Sequence, residues 1–306
     1  LPVLVAVFGI LSVYGRQGWL ASLFALLGLE WTFSPYGLKG ILLAHVFFNM
    51  PMATRLFLQA LENIPGEQRQ IAAQLGMRGW SFFRFVEWPW LRRQIAPVAA
   101  LIFMLCFASF ATVLSLGGGP QATTIELAIY QALSYDYDPG RAALLAIVQM
   151  VCCLALVLLS QRLSKAIPTG SNNLTGWRDP QDSLHSRVAD FMLIALALLL
   201  LLPPLLAVIV DGLNRNVLSV LQQPVLWQAT WTSLRIALAA GLLCVILTMM
   251  LLWSSRELYA RHACKAGHAL ELTGMLILAM PGIVLATGFF LLFNSTIGLP
   301  ESADGI

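Results

Sequence analysis

The chain has 306 residues, 58% of them hydrophobic and only 11% charged, with a formal net charge of +3 and a mean hydropathy of +0.78. A soluble domain of this size cannot keep so much apolar surface from water, so the chain is an integral membrane protein. The small basic excess is spread among loops rather than gathered on one face, which argues against a nucleic-acid partner.

Leu-rich runs longer than the ~20 residues needed to cross the hydrocarbon core predict an all-α membrane fold, since only helices and closed barrels satisfy every backbone group in lipid. In chain order we read an incomplete helix at Leu1–Tyr14, then helices near Gly37–Leu61, Gln94–Leu116, Arg141–Leu163, Ala189–Asp211, Trp227–Trp253 and Ala269–Phe293, about seven spans. The opening Leu1-Pro2, without a methionine or a cleavable signal, is expected of a truncated start. Of the five cysteines, Cys106, Cys152, Cys153 and Cys244 fall in apolar runs and Cys264 in a basic loop, without metal-ligand or disulfide spacing.

One polar and aromatic insert, within residues 64–89, separates the second and third runs. Pro65-Gly66 breaks the preceding helix, Glu67–Leu75 reads as a short helix stopped by Gly76, and a second short helix is expected to end before Pro89. Arg69, Arg78, Arg84, Arg92 and Arg93 place this insert on the inner side. Alternation from there puts thirteen of the eighteen basic residues inside or at inner helix ends and only Arg16, Lys39, Arg141 and Arg215 outside, with Arg235 within a span.

The spacing Gln70-Ile71-Ala72, Gly76, Val86, Pro89 resembles the E-A-A-x-x-x-G loop of permease subunits in binding-protein-dependent ABC importers. Ala72, Gly76, Val86 and Pro89 match that pattern; Gln70 stands in place of its Glu and Ile71 in place of its first Ala. The resemblance implies a type I ABC importer transmembrane domain in which this loop seats in a groove of a cytoplasmic ATP-binding subunit. An amphipathic helix lying on the lipid surface is the plain alternative.

Pro2 and Gly9 align with Pro281 and Gly288 at one offset, and Tyr14 with Phe293, which suggests an internal repeat. The expected organisation is the back half of one permease repeat at 1–163, a polar linker at 164–188, and the front half of a second repeat at 189–306. Fused double-repeat permeases occur in the thiamine, iron and polyamine subgroup, to which the whole chain is most similar. That likeness implies thiamine or a related small solute as cargo, two copies of the ATP-binding subunit, a periplasmic solute-binding protein and a bacterial inner-membrane location. ATP would be bound by the partner; no cofactor, catalytic residue or metal ligand is expected in this chain.

Polar groups at membrane depth are costly and mark paths or interhelical hydrogen bonds. His45 and Asn49 share a helix face before Pro51, and Gln149, Ser109 and Thr112 are weaker candidates. The outer turn Gly117–Pro120 lacks the Gly-Lys-Ser/Thr of a P-loop and reads as a flexible turn. The outer stretch Thr123–Tyr137, with Glu126 and Asp136, and Asp138 just after it, resembles the family's outer segment before the last helix, which implies a docking surface for a binding protein; a solvated loop is the plain alternative. An ion-coupled secondary transporter would need intramembrane ionisable sites, for which His45 is the fair candidate. A membrane enzyme would need several polar residues converging at one depth, and the sequence does not display them.

Overall fold

The computed structural model describes residues 2–117, 122–163, 184–213, 217–261, 266–267, 270 and 282–297. Most of the linker (164–183), the glycine-rich turn at 118–121 and the start of the last expected span (271–281) lie outside the described residues. The helices are α1 (Val3–Tyr14), α2 (Trp19–Leu26), α3 (Leu38–Glu62), α4 (Gly66–Gln74), α5 (Gly79–Phe82), α6 (Trp88–Phe107), α7 (Phe110–Leu116), α8 (Ile125–Ser134), α9 (Pro139–Leu163), α10 (Leu184–Gly212), α11 (Val217–Leu221), α12 (Pro224–Ala260) and α13 (Gly282–Ile297). Among the described residues no strand occurs, and six helical stretches are long and apolar enough to cross a membrane.

Two compact units result, Leu1–Val208 with Pro281–Ile306, and Ile209–Met280. In the first, α1 supplies Ala6, Val7 and Ile10 at helical spacing, and these pack against Ile41, Ala44 and Phe47 of α3, Val113 and Leu116 of α7 and Leu127 of α8. A second cluster joins Ile129 and Ala132 of α8 to Ala142 and Ala146 of α9, with Ile283 and Val284 of α13 against it. Gly9 allows α1 to meet α10: a Cβ there would lie 2.3 Å from the Pro204 carbonyl oxygen. Tyr14 also donates to the Leu200 carbonyl, 3.4 Å away. In the second unit α12 runs for 37 residues, about 55 Å at 1.5 Å per residue. Nothing in its most apolar stretch is buried.

Three expectations are corrected. The helix expected at Gln94–Leu116 is broken: α6 ends at Phe107, Ala108 (φ −98°, ψ 45°) and Ser109 (φ −112°, ψ 48°) leave helical geometry, and α7 begins at Phe110. No proline or glycine marks this break, which is why an apolar pattern alone runs straight through it. The second insert helix does not stop before Pro89. It passes through a π-helical turn, Phe83–Glu87, directly into α6, where Pro89 stands in the first turn and does not end the helix. Finally, the stretch after the glycine turn is not a solvated loop but carries α8, with Glu126 only 2% exposed.

Candidate functional site

Two regions gather the residues singled out in the sequence. The first is the insert between α3 and α6. Helix α4 closes with a pair of bonds that satisfy its last carbonyls, Met77 N–H to Ala72 O and Gly76 N–H to Ala73 O, both 3.0 Å. This arrangement requires a left-handed residue, and Gly76 supplies it with φ +67°. The chain then returns so that Val86 and Trp90 pack on Ala72 and Ile64. Arg69 reaches back to the Leu61 carbonyl in the last turn of α3, 2.6 Å away, where a cation also offsets the negative helix end. Trp90 donates its indole N–H to Gln68 at 3.3 Å.

The motif positions therefore have different fates. Ala72 and Val86 are buried inside the insert, whereas Gln70 is exposed and Ile71 is 56% exposed. Pro89 lines a groove of about 520 Å³ together with Ile71, Leu75, Met77, Phe85 and Arg93. Leu75 (67%), Trp80 (72%) and Phe85 (62%) add apolar side chains that are mostly exposed.

The second region lies where α6 breaks. The Ser109 hydroxyl donates to the Cys106 carbonyl at 2.6 Å, a group released when the helix stops. Its single proton is then committed, so the 2.8 Å contact with His45 Nε2 must be a bond donated by the imidazole to Ser109 Oγ. This places a proton on Nε2 and aims it at Ser109. Asn49, one turn on, donates its amide to the His45 carbonyl at 2.9 Å and to Cys106 Sγ at 3.3 Å. Helix α3 continues through Pro51 without a break.

His45, Asn49, Ser109 and Thr112 share a cavity of about 660 Å³ with Glu126, Phe48, Phe110 and, from α13, Gly282, Ile283 and Ala286. Next to it along α3 a smaller hollow of about 390 Å³ is also walled by His45 and Asn49, with Leu42, Ile102 and Cys106. Gln149 does not line either. It is fully buried on α9, and neither of its amide atoms nor Glu126 Oε2 has a hydrogen-bond partner. Burial pushes the Glu126 carboxyl above the usual carboxylate range. The nearby Gln149 side chain and the Phe110 backbone pull the other way, although the Gln149 amide falls short of hydrogen-bond geometry. Among the described residues no group of three or more His, Cys, Asp or Glu could hold a metal.

Polar groups thus do converge at one place, against the expectation from sequence. The missed member is Glu126, assigned to an outer surface because its stretch resembles the family's outer segment before the last helix. A signal was present in the α8 pattern: Ile129, three residues on and so on the same helix face, is buried with it.

Residues 1–168 match the family described as "Binding-protein-dependent transport system inner membrane component". Over all 306 residues the chain is 83% identical to the thiamine transport system permease protein ThiP of Escherichia coli (strain K12), covering 57% of that protein. The same-named protein of Haemophilus influenzae is 45% identical over 295 residues, 96% of this chain and 55% of the relative. A probable sulfate transport system permease protein of Chlorella vulgaris is 29% identical over 163 residues, 52% of this chain and 60% of that protein. The chain spans a little over half the length of these curated relatives, and no solved structure matches it. With the family match covering more than half of its residues and membrane-length helices on both sides of the match boundary, the chain belongs to the inner-membrane components of binding-protein-dependent transport systems.

Proposed function

We propose that this chain is part of a permease that imports thiamine, moving it past the cavity at the α6–α7 break and receiving its motion from an ATP-hydrolysing subunit seated on the insert at 64–89. The observation that carries the coupling half is the insert's surface. Ile71, Leu75, Trp80 and Phe85 are exposed on a segment whose own packing is rigidly built around Ala72, Val86 and Trp90. An apolar, preformed surface beside a groove is what a partner protein docks on. The cargo half is supported by the names of the thiamine-permease relatives.

With the insert in the cytoplasm, α3 begins at the outer face, and His45 lies seven residues in from Leu38, about 10 Å deep at 1.5 Å per residue. The cavity would then sit in the outer half of the bilayer. Its size falls within the ~300–1,000 Å³ usual for small-molecule sites. His45 and Asn49 wall that path, and Gln149 supports it from behind. Two copies of the ATP-binding subunit would bind the inner face and hold the nucleotide, a periplasmic solute-binding protein would deliver cargo, and no catalytic step falls to this chain. Residues 1–163 and 189–306 would be parts of two permease repeats joined by the linker 164–188.

The test compares two substitutions at Gly76 in the full-length protein. A Cβ at this position meets nothing within 4 Å, so Gly76→Ala introduces only backbone strain, while Gly76→Leu adds bulk to the proposed docking surface. The expected result is that Gly76→Leu abolishes co-purification of the ATPase and uptake of labelled thiamine into vesicles, with Gly76→Ala intermediate. Unchanged association and uptake in Gly76→Leu would sink the coupling role. Ion-coupled secondary transport is the second reading, favoured by the convergence of His45 and Glu126 on one cavity; uptake driven by an ion gradient without ATP would establish it instead.

A further inference from the structure

We propose that Glu126 is the counter-charge for a cationic cargo in the α6–α7 cavity, and that the cavity selects small aromatic or heteroaromatic monocations. The inference rests on the thiamine-permease reading above and deepens it, since thiamine carries a permanent positive charge on its thiazolium ring.

Glu126 is 2% exposed yet stands in the wall of a cavity of about 660 Å³. Its Oε2 has no hydrogen-bond partner, and no described Lys or Arg pairs with it. The Phe110 backbone reaches the carboxyl, but a buried acid with one oxygen unpaired and no cation beside it is still expensive to keep unless something else satisfies it. No Lys or Arg stands in the wall. His45 spends its Nε2 proton on Ser109, and the Asn49 amide is engaged by the His45 carbonyl and Cys106. The remaining wall includes the rings of Phe48 and Phe110, and Phe110 is braced by Tyr130 at a centroid distance of 5.1 Å. Aromatic faces attract cations and stack on flat heterocycles, more strongly where water is excluded. An anion such as sulfate would meet an acid and no donor pair. The carboxyl is covered in this state, so pairing takes a side-chain rotation toward the cavity.

Two measurements decide the matter, both on the full-length permease assembled with its ATPase. In proteoliposomes containing the binding protein, Glu126→Gln should lower labelled-thiamine uptake at least about tenfold, as expected for losing a charged partner in a dry site, and Glu126→Asp should restore part of it. ATPase co-purification should stay as in the wild type. Uptake by Glu126→Gln equal to wild type would overturn the proposal while leaving the thiamine reading intact; failure of the wild type itself to import thiamine would overturn that reading, and the proposal with it. The second measurement needs no variant and so survives a misfolded one. Labelled thiamine bound to wild-type complex in nanodiscs, without the binding protein, should be displaced by unlabelled thiamine and not by an analogue whose quaternary nitrogen is replaced by carbon. Equal displacement by the uncharged analogue, or no saturable binding, would refute the role of Glu126.

Discussion

The insert at 64–89 and the cavity at the α6–α7 break are built on opposite principles. The insert places small and apolar groups inside, Ala72 against Val86 and Trp90, and leaves exposed apolar residues outward. The cavity does the reverse: apolar helices surround it, while His45, Asn49, Ser109 and Thr112 face one another across a helix interruption. One region is held by shape, the other by hydrogen bonds that satisfy backbone groups freed where α6 stops. Substitutions should therefore fail differently in the two, by volume in the first and by unpaired polar atoms in the second.

The largest effect is expected from Trp90→Ala. Trp90 is 7% exposed and closes the small cluster that fixes α4 against α6. Removing a buried ring of this size costs about 3–5 kcal/mol where the site cannot collapse. So small a cluster cannot absorb that loss, and the insert should open locally while the membrane helices stay inserted. Faster tryptic cleavage at Arg78 and Arg84 in inside-out vesicles would report it; unchanged cleavage would mean the insert is held from elsewhere.

Second comes Ser109→Ala. The change removes no volume of consequence, but it strips the Cys106 carbonyl of its donor and His45 Nε2–H of its acceptor at once. Each unsatisfied buried group costs about 1–3 kcal/mol, and a lowered melting temperature in detergent should show it. Ser115→Ala is the control. That hydroxyl also donates to a carbonyl, Ala111 at 2.8 Å, but within the regular helix α7, where the carbonyl already sits in the helical ladder. A similar loss in both variants would mean that the break at Ser109 is not special.

How much of each region was legible follows from the same contrast. The insert's turn could be read because a glycine at a left-handed position is a local signal, and Gly76 does end α4; that Ala72 packs on Val86 is added by the structure. Its continuation through Pro89 could not, since proline in a first helical turn and proline after a helix look alike in sequence. The cavity was only half legible. His45 and Asn49 were evident as polar residues one turn apart. The break at Ala108–Ser109 was not, because its cause is a side chain replacing a backbone bond rather than a breaker residue. Nor could one sequence show that Glu126 and Gln149, 23 positions apart, are buried together.

A smaller effect is expected at Gly76. With φ at +67° and open space around the missing Cβ, Gly76→Ala should cost about 1 kcal/mol, from backbone strain alone. Gly76→Asn should cost less, since Asn tolerates this region better. Equal melting temperatures for the two variants would place the strain elsewhere. Because volume plays no part, this position separates conformational from steric effects in the insert, which Trp90 cannot do.

The smallest effect divides the acidic residues that the sequence grouped as one outer surface. Glu126 is interior. Asp138 belongs to the scaffold: its carboxylate accepts the Arg141 backbone N–H at 3.0 Å, at the start of α9 with Pro139 next in line, so Asp138→Ala should cost about 1 kcal/mol as the loss of a helix cap. Asp136 is left at the surface, paired with the Arg141 side chain at 3.2 Å while both remain more than half exposed. Such pairs contribute about 0–1 kcal/mol, so Asp136→Ala should leave the melting temperature within error of wild type. That silence makes Asp136 informative. Any fall in binding-protein-dependent uptake in Asp136→Ala could not be traced to stability and would point to docking at this edge. A drop in melting temperature matching that of Asp138→Ala would show instead that the Arg141 pair, and not the cap, holds the start of α9.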